Sequence, residues 1–205
     1  MPLYEDYIEA DTGVSVSLLN LGIPGWTSGD LRNATSSGPL FRLSIYFSRV
    51  VTWNIGGNDL NAARSSYKAG TCGGADNQDC LRAAVATFKT NWNGILRDLL
   101  TLRHGRATVM RTMTIYNPFV SEDMASGDFL TLKAYLDEVN NHIRYTSALV
   151  GVKVARVDVA FNGIGGDEDA IAKGLIAFDG FHPNAKGHLV TAQLLRAQGY
   201  SSIVP

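Results

Sequence analysis

Apolar residues are spaced along the chain in two ways, one typical of strands and the other of helices. Four short segments are rich in β-branched and other apolar residues and are bounded by glycine, proline or polar turns, as buried strands are. The strands predicted in this way cover residues 14–21, 50–55, 107–115 and 152–159.

Between these segments the apolar positions recur every three to four residues, which is the spacing of an amphipathic helix. Helices are predicted over 81–103, 128–150 and 184–198, and a further helix is predicted to begin near Ser28. Tyr4, Tyr7 and Ile8 share one helical face, so we also expect the chain to open inside or just before a helix.

Strands therefore alternate with long helices. This alternation predicts an α/β fold with a parallel sheet, in which ligands bind beyond the carboxyl ends of the strands. The sequence contains no internal repeat, low-complexity tract or linker, so residues 1–205 are expected to form one domain.

Composition narrows the functional classes. Of 205 residues, 45% are hydrophobic and 18% are charged, and the formal net charge is -1. A near-neutral chain is a poor candidate for general nucleic-acid binding, and no apolar run approaches the ~20 residues that a membrane-spanning helix needs. The acidic opening MPLYEDYIEADTG lacks the basic and apolar regions of a signal peptide.

The two cysteines, Cys72 and Cys80, flank a polar stretch that favours a turn. A disulfide is the favoured interpretation, and closing a nine-residue loop would stabilise the fold by about 2.5 kcal/mol. A zinc site and two free thiols are the alternatives, although no further cysteine or histidine stands at ligand spacing. A disulfide points to an extracellular or periplasmic location, which conflicts with the missing signal peptide.

Three segments that contain candidate catalytic residues follow predicted strands. The first is Asp179-Gly180-Phe181-His182, whose spacing lets the Asp179 carboxylate reach one ring nitrogen of His182. The other nitrogen is then free to act as a general base near neutral pH, while the carboxylate fixes the tautomer. The same pattern also occurs in helix caps and surface turns.

The other two segments are Asn20 to Gly25 and Gly56-Gly57-Asn58-Asp59. An amide side chain at a strand end and a backbone N–H in a glycine loop can together stabilise an oxyanion. Asn58 and Gly25 are therefore the candidate donors. Taken alone, both segments also fit ordinary turns, in which glycine supplies a positive φ.

Taken together, and read from the N-terminus to the C-terminus, the three segments resemble the conserved blocks of the SGNH/GDSL hydrolase family of esterases and lipases. The resemblance matches Asn20 to Ser28 to the second family block, Gly56 to Asp59 to the third and Asp179 to His182 to the fifth. It implies a flavodoxin-like, three-layer α/β/α sandwich with a mainly parallel sheet. It also implies hydrolysis of carboxylic esters, often short-chain esters of the acetyl type, with no cofactor and no metal.

The first family block, Gly-Asp-Ser, carries the nucleophilic serine of the family after its first strand. That triplet does not occur in this sequence. The chain thus resembles the family without its first strand and nucleophile, which is the pattern of an N-terminally truncated domain.

Four interpretations follow from the missing serine. His182 could activate a water molecule directly, or a nearby hydroxyl of Thr27 or Ser28 could substitute, although both also fit a helix N-cap. The chain could instead be a catalytically inactive binder of acyl or glycan ligands. Finally, the start codon could be misassigned.

Trp26 and Trp53 flank the expected site and either line an acyl pocket or pack in the core.

A missing first strand also leaves a slot in the sheet with unpaired backbone groups. We expect the strand at 14–21 to pair directly with the strand at 50–55, or a second copy of the chain to fill the slot in a homodimer.

Overall fold

The computed structural model describes residues 3–201 and places nine helices and three strands in that range. The strands are β1 Val50–Trp53, β2 Val109–Met113 and β3 Lys153–Ala155. The helices are α1 Leu3–Thr12, α2 Ser28–Ser37, α3 Pro39–Phe47, α4 Gly57–Lys68, α5 Asp79–Arg103, α6 Val120–Ser126, α7 Phe129–Leu149, α8 Val157–Asn162 and α9 Ala185–Arg196.

The three strands form one parallel sheet in the order β1-β2-β3. Val50 pairs with Val109 at one end of the first ladder, and Met113 pairs with Ala155 at the end of the second. The central strand, β2, is buried along almost its whole length. A parallel strand is covered on both faces by helices, which explains why even the polar residues Arg111 and Thr112 of β2 are buried.

One face of the sheet packs on α5 and α7. Their apolar stripes meet the side chains of the strands in the main core, where Phe88, Trp92, Ile95 and Ile143 are fully buried. The helices α2 and α3 continue this layer by packing on α5. The 3.6-residue spacing read from the sequence therefore corresponds to the faces that these helices bury.

The opposite face is covered by α1, α8 and α9. Phe161 of α8 and Leu195 of α9 pack with Ala155 of β3, and Ile8 of α1 packs against Val109 of β2. Helices thus lie on both sides of the parallel sheet, and the predicted three-layer α/β/α fold is confirmed.

The predicted helices are confirmed to within a few residues: 81–103 corresponds to α5, 128–150 to α7 and 184–198 to α9. The helix near Ser28 and the opening helix are present as α2 and α1. The helices α3, α4, α6 and α8 were not predicted, because segments of 6 to 12 residues span too few turns to show a clear helical period.

The strand predicted over 14–21 is wrong. Residues 13–23 contain no helix or strand, and Val14, Leu18 and Leu19 are exposed. A strand exists only if a neighbour accepts and donates its backbone hydrogen bonds, and within residues 3–201 β1 pairs with β2 alone. Direct pairing of 14–21 with 50–55 is therefore wrong as well.

The prediction over 152–159 is correct only in its first half. Lys153–Ala155 is β3, but Val157 begins α8. The first turn of α8 is held by Thr114, whose hydroxyl accepts a hydrogen bond from the Asp158 backbone N–H at 3.0 Å. This partner lies 44 residues away, so the local apolar pattern could not reveal it.

The predicted disulfide between Cys72 and Cys80 is present and closes the loop between α4 and α5. No helix within residues 3–201 is both long enough and apolar enough to cross a membrane.

Candidate active site

A cavity of about 460 Å³ lies where the carboxyl ends of β1 and β2 meet the loops that follow them. Its wall includes Gly25, Asn58, Tyr116 and His182, which come from four separate parts of the chain. The structure therefore brings together three of the candidate site residues. It also places them at the sheet edge where ligands of α/β folds bind.

His182 and Asp179 are joined by a hydrogen bond, as their spacing allows. The Nδ1 atom of His182 lies 2.8 Å from a carboxylate oxygen of Asp179. In the neutral form of the ring, this contact favours the tautomer that has its proton on Nδ1 and a lone pair on Nε2. A histidine held in this tautomer is arranged to take a proton from a bound molecule in the cavity that it lines.

The second carboxylate oxygen of Asp179 accepts hydrogen bonds from the backbone N–H groups of Phe181 and His182, at 2.9 Å and 3.0 Å. The bond from Phe181 and the contact with the His182 ring lower the pKa of Asp179 from 3.8 to about 2. The carboxylate is therefore ionised over the whole range in which a histidine titrates.

The turn that carries the dyad is closed like a hairpin. The N–H of Ala177 donates to the carbonyl of His182 at 2.7 Å, and the N–H of Asn184 donates to the carbonyl of Leu175 at 2.9 Å. Asn184 also caps α9 by accepting from the Gly187 N–H. These hydrogen bonds fix the backbone of the turn, and the turn in turn positions the exposed His182 ring without burying it.

Tyr116, just beyond β2, supports the same turn from across the cavity. Its hydroxyl donates to the carbonyl of Phe181 at 2.7 Å. Burial raises the pKa of Tyr116, and the negative charge of Asp179 adds to the effect. The phenol therefore stays protonated and remains a donor. The sequence analysis missed Tyr116, although its place directly after the third predicted strand marks it as a residue of the site.

Asn58 lies in the first turn of α4, immediately after β1. Its side-chain amide donates one hydrogen bond to the carbonyl of Trp26 at 2.8 Å. An amide nitrogen carries two hydrogens, so the second N–H remains for a ligand. The bond to Trp26 also fixes Asn58 relative to the loop that contains Gly25.

Gly25 takes a left-handed conformation with φ of +83°, which side chains other than glycine rarely adopt. Within residues 3–201, no acceptor occupies its N–H. Gly25 and Asn58 line the same cavity. A backbone N–H and an amide N–H that meet at one ligand oxygen can stabilise a developing oxyanion.

A second contact ties this loop to α4. The Asp59 carboxylate accepts hydrogen bonds from the backbone N–H of Ser28 at 2.8 Å and from the Ser28 hydroxyl. Asn91 of α5 donates to the same hydroxyl at 3.0 Å. Asp59 thus holds the start of α2 next to Asn58, a role that the sequence did not reveal.

Thr27 and Ser28, the candidate substitute hydroxyls, are not among the described residues that line the cavity. Thr27 is the N-cap of α2 and forms a reciprocal capping box with Asp30. Ser28 is fully buried, and its hydroxyl is bonded to Asp59 and Asn91. Both hydroxyls are thus used in holding the helix.

The two candidate pocket tryptophans lie in different places. Trp26 lines the cavity and stacks on Phe41 of α3, with ring centroids 5.2 Å apart. Trp53 is buried in the main core beside Trp92, at 6.0 Å between centroids. The contact with Trp92 of α5 shows that Trp53 faces the α5 layer, so it belongs to the core and is not among the described residues that line the cavity.

Charged residues missed by the sequence analysis also line the cavity. Arg64 of α4 pairs with the buried carboxylate of Asp123 at 2.6 Å and lies 4.0 Å from the ring centroid of Phe119. Nothing local in the sequence signals this cluster, because Arg64 and Asp123 are 59 residues apart. Within residues 3–201, no group of three or more His, Cys, Asp or Glu side chains is placed to hold a metal ion.

The chain was compared with known proteins. Residues 2–190 match the GDSL-like Lipase/Acylhydrolase family. No relative was found among the curated proteins. Among solved structures, the lipase Lip_vut3 from a goat rumen metagenome is similar, with a TM-score of 0.79 and 20% sequence identity, over 97% of this chain and 86% of that chain. At this identity the likeness supports the fold alone.

Proposed function

Since the chain belongs to the GDSL-like lipase/acylhydrolase family, a family of ester hydrolases, we propose that it cleaves carboxylic esters in the cavity lined by His182, Asn58 and Gly25. The observation that carries the proposal is the shared cavity. It is lined by an imidazole oriented by Asp179 and by Asn58 and Gly25, whose N–H groups are the proposed oxyanion donors.

In the proposed reaction, Nε2 of His182 takes a proton from a water molecule as the water oxygen attacks the ester carbonyl carbon. The carbonyl oxygen becomes an oxyanion, which accepts hydrogen bonds from the Asn58 amide and the Gly25 N–H. His182 then gives its proton to the alkoxide as the C–O bond breaks. One ester and one water become one acid and one alcohol, and Asp179 stabilises the transient imidazolium.

Water is the proposed nucleophile because the candidate hydroxyls have other roles. Ser28 is buried against Asp59, and Thr27 caps α2. An oxyanion hole and substrate binding alone retain about 10³- to 10⁴-fold catalysis over water when a nucleophile is removed. We therefore expect slow turnover without a covalent acyl intermediate.

The first test is turnover of p-nitrophenyl esters by the wild type and by His182→Ala. General-base catalysis contributes about 10²- to 10⁴-fold, so kcat/KM is expected to fall at least 100-fold. His104→Ala is the matched control, because His104 is exposed at the C-terminal end of α5, away from the cavity lining. Equal rates for wild type and His182→Ala would remove the enzymatic proposal.

A second test distinguishes water from a hydroxyl nucleophile. The protein is treated with a serine-directed organophosphorus reagent and its peptides are analysed by mass spectrometry. The water mechanism predicts no adduct within the chain and no burst of p-nitrophenol before steady state. An adduct on Ser28 or Thr27 would defeat it.

The alternative function, an inactive acyl- or glycan-binding protein on the same fold, is an outcome of these experiments. It predicts no turnover by wild type or variant, together with retained binding of the carboxylate product. Turnover that depends on His182 rules it out.

A further inference from the structure

The cavity has a polar and an apolar part. Gly25, Asn58 and His182 form the polar part. The apolar part is lined by side chains of the helices and of the β1 and β2 ends, namely Ile55, Leu60, Leu81, Ile115, Leu132 and Leu136. Leu81, Ile115 and Leu132 are buried, so this part of the wall belongs to the interior of the protein.

Two of the polar side chains near the apolar part already have partners. Arg64 is paired with Asp123, and the Tyr135 hydroxyl donates to the side-chain oxygen of Gln78 at 2.8 Å. A ligand that brought a sugar hydroxyl or a second carboxylate here would compete with these bonds or bury an unpaired polar group. An unsubstituted hydrocarbon chain meets neither penalty.

The volume of the cavity sets the length of that chain. A water molecule occupies about 30 Å³ of the liquid and a methylene group fills a similar space, so an acetyl group takes up roughly 60 Å³ and an eight-carbon acyl chain roughly 240 Å³. The cavity measures about 460 Å³. An acetyl group would leave most of the apolar wall uncovered, whereas an eight-carbon chain leaves space for the ester group.

We propose that the apolar part of the cavity, between α4, α5 and α7, is an acyl-binding site for medium-length chains of about six to ten carbons. This inference rests on the proposed ester hydrolysis. It replaces the expectation of acetyl-type substrates with a preference for longer acyl groups.

The first experiment measures kcat/KM for p-nitrophenyl acetate, butyrate, octanoate and palmitate. Each buried methylene contributes about 0.8 kcal/mol, which is about fourfold per methylene. We expect a rise from acetate to octanoate and a fall at palmitate, whose chain exceeds the cavity. A profile that is highest at acetate, or flat from acetate to octanoate, overturns the inference.

The second experiment uses Leu136→Phe, which places a larger ring in the apolar part, against Leu130→Phe. Leu130 lies on the same helix but is 77% exposed. The ratio of octanoate to acetate hydrolysis is expected to fall at least tenfold in Leu136→Phe and to stay within twofold in Leu130→Phe. Equal ratios in the two variants contradict the acyl site.

The third experiment measures binding without catalysis. In His182→Ala, octanoate should bind at least 100-fold more tightly than acetate in a calorimetric titration. If octanoate binds in this way but no ester is turned over by the wild type, the acyl site stands and the proposed hydrolysis fails. If turnover depends on His182 but octanoate has no advantage over acetate, the hydrolysis stands and the acyl site fails. If neither is seen, both fail.

Discussion

At the scale of single residues, hydrogen bonds rather than burial fix the polar groups of the cavity. The exposed Asp179 carboxylate bonds to one side chain and to two backbone N–H groups, and Asn58 is held by the carbonyl of Trp26. Such preorganised donors and acceptors need no rearrangement when a charge develops in the reaction. Each of these groups can be tested alone.

The low pKa of Asp179 predicts the pH behaviour of its turn. A carboxyl whose pKa falls from 3.8 to about 2 on folding stabilises the folded state fully above about pH 4, and this contribution is lost as the pH falls through about 2. The amide proton shift of Phe181, whose N–H donates to Asp179, should therefore stay constant in NMR spectra between pH 6 and pH 3. A titration with a midpoint near 4 would contradict the assignment.

Position 56 requires glycine for two reasons: the backbone is left-handed there, and no room is left for a side chain. Its φ is +113°, and a Cβ there would lie 2.5 Å from the Phe88 ring and 2.8 Å from Ile115. Gly56→Ala should lower the free energy of unfolding by about 2–4 kcal/mol, from overpacking and the left-handed backbone together. Gly105→Ala is the control in urea unfolding, because Gly105 also has a positive φ but open space around it. A similar loss in both variants would mean that the contact with Phe88 is unimportant.

At the scale of elements, the long helices were predicted closely. Of the four predicted strands, 50–55 and 107–115 are present as β1 and β2, 152–159 is correct in part and 14–21 is wrong. The apolar spacing in α5 and α7 extends over 20 residues or more, and it matches the stripe that each helix buries. The strands have only three to five residues. Segment 14–21 has the composition of a strand but no partner among the described residues, so composition alone could not decide its structure.

The disulfide stabilises the loop between α4 and α5. Replacing both Cys72 and Cys80 by alanine removes a nine-residue closed loop from the unfolded chain, and should lower the free energy of unfolding by about 2.5 kcal/mol. Guanidinium unfolding of this variant measures the loss. The wild type in a reducing agent should show a comparable loss, and the variant should not respond to the reductant. Wild-type stability in the variant would show that the loop is held by its hydrogen bonds alone.

At the scale of the whole molecule, the outer edge of β1 is the main irregularity. In a parallel ladder, successive residues of a strand direct their backbone N–H and C=O groups to opposite sides. The Val109 N–H of β2 donates to the Arg49 carbonyl. The backbone groups of Val51 therefore also face β2, while those of Val50 and Thr52 point outward. No described strand accepts those bonds. Open edges promote pairing with another chain, which keeps the expected homodimer as a hypothesis.

Hydrogen exchange at two protein concentrations tests this hypothesis. The amide of Val51 should be protected at any concentration, since it faces β2. The amides of Val50 and Thr52 should exchange quickly in dilute solution and slowly where light scattering reports a dimer. Fast exchange at both concentrations, together with a monomeric mass, would exclude edge pairing of two copies.

The sequence by itself determined the features that depend on near neighbours. Helical hydrogen bonds join residues four apart, the Asp179–His182 pair is three apart and the cysteines are eight apart. Spacing along the chain therefore contains the information for all of them. The α/β class also followed, because it depends on the order of such local elements.

Only the tertiary structure decided which strands pair, which hydroxyls are buried and what forms the cavity. The Ser28–Asp59 bond spans 31 residues, and the Arg64–Asp123 pair spans 59. Sheet bonds and cavity walls join distant segments whose meeting depends on how all the helices pack. For this reason the sequence could name the candidate residues Gly25, Asn58 and His182, while the apolar part of the cavity appeared only in the folded protein.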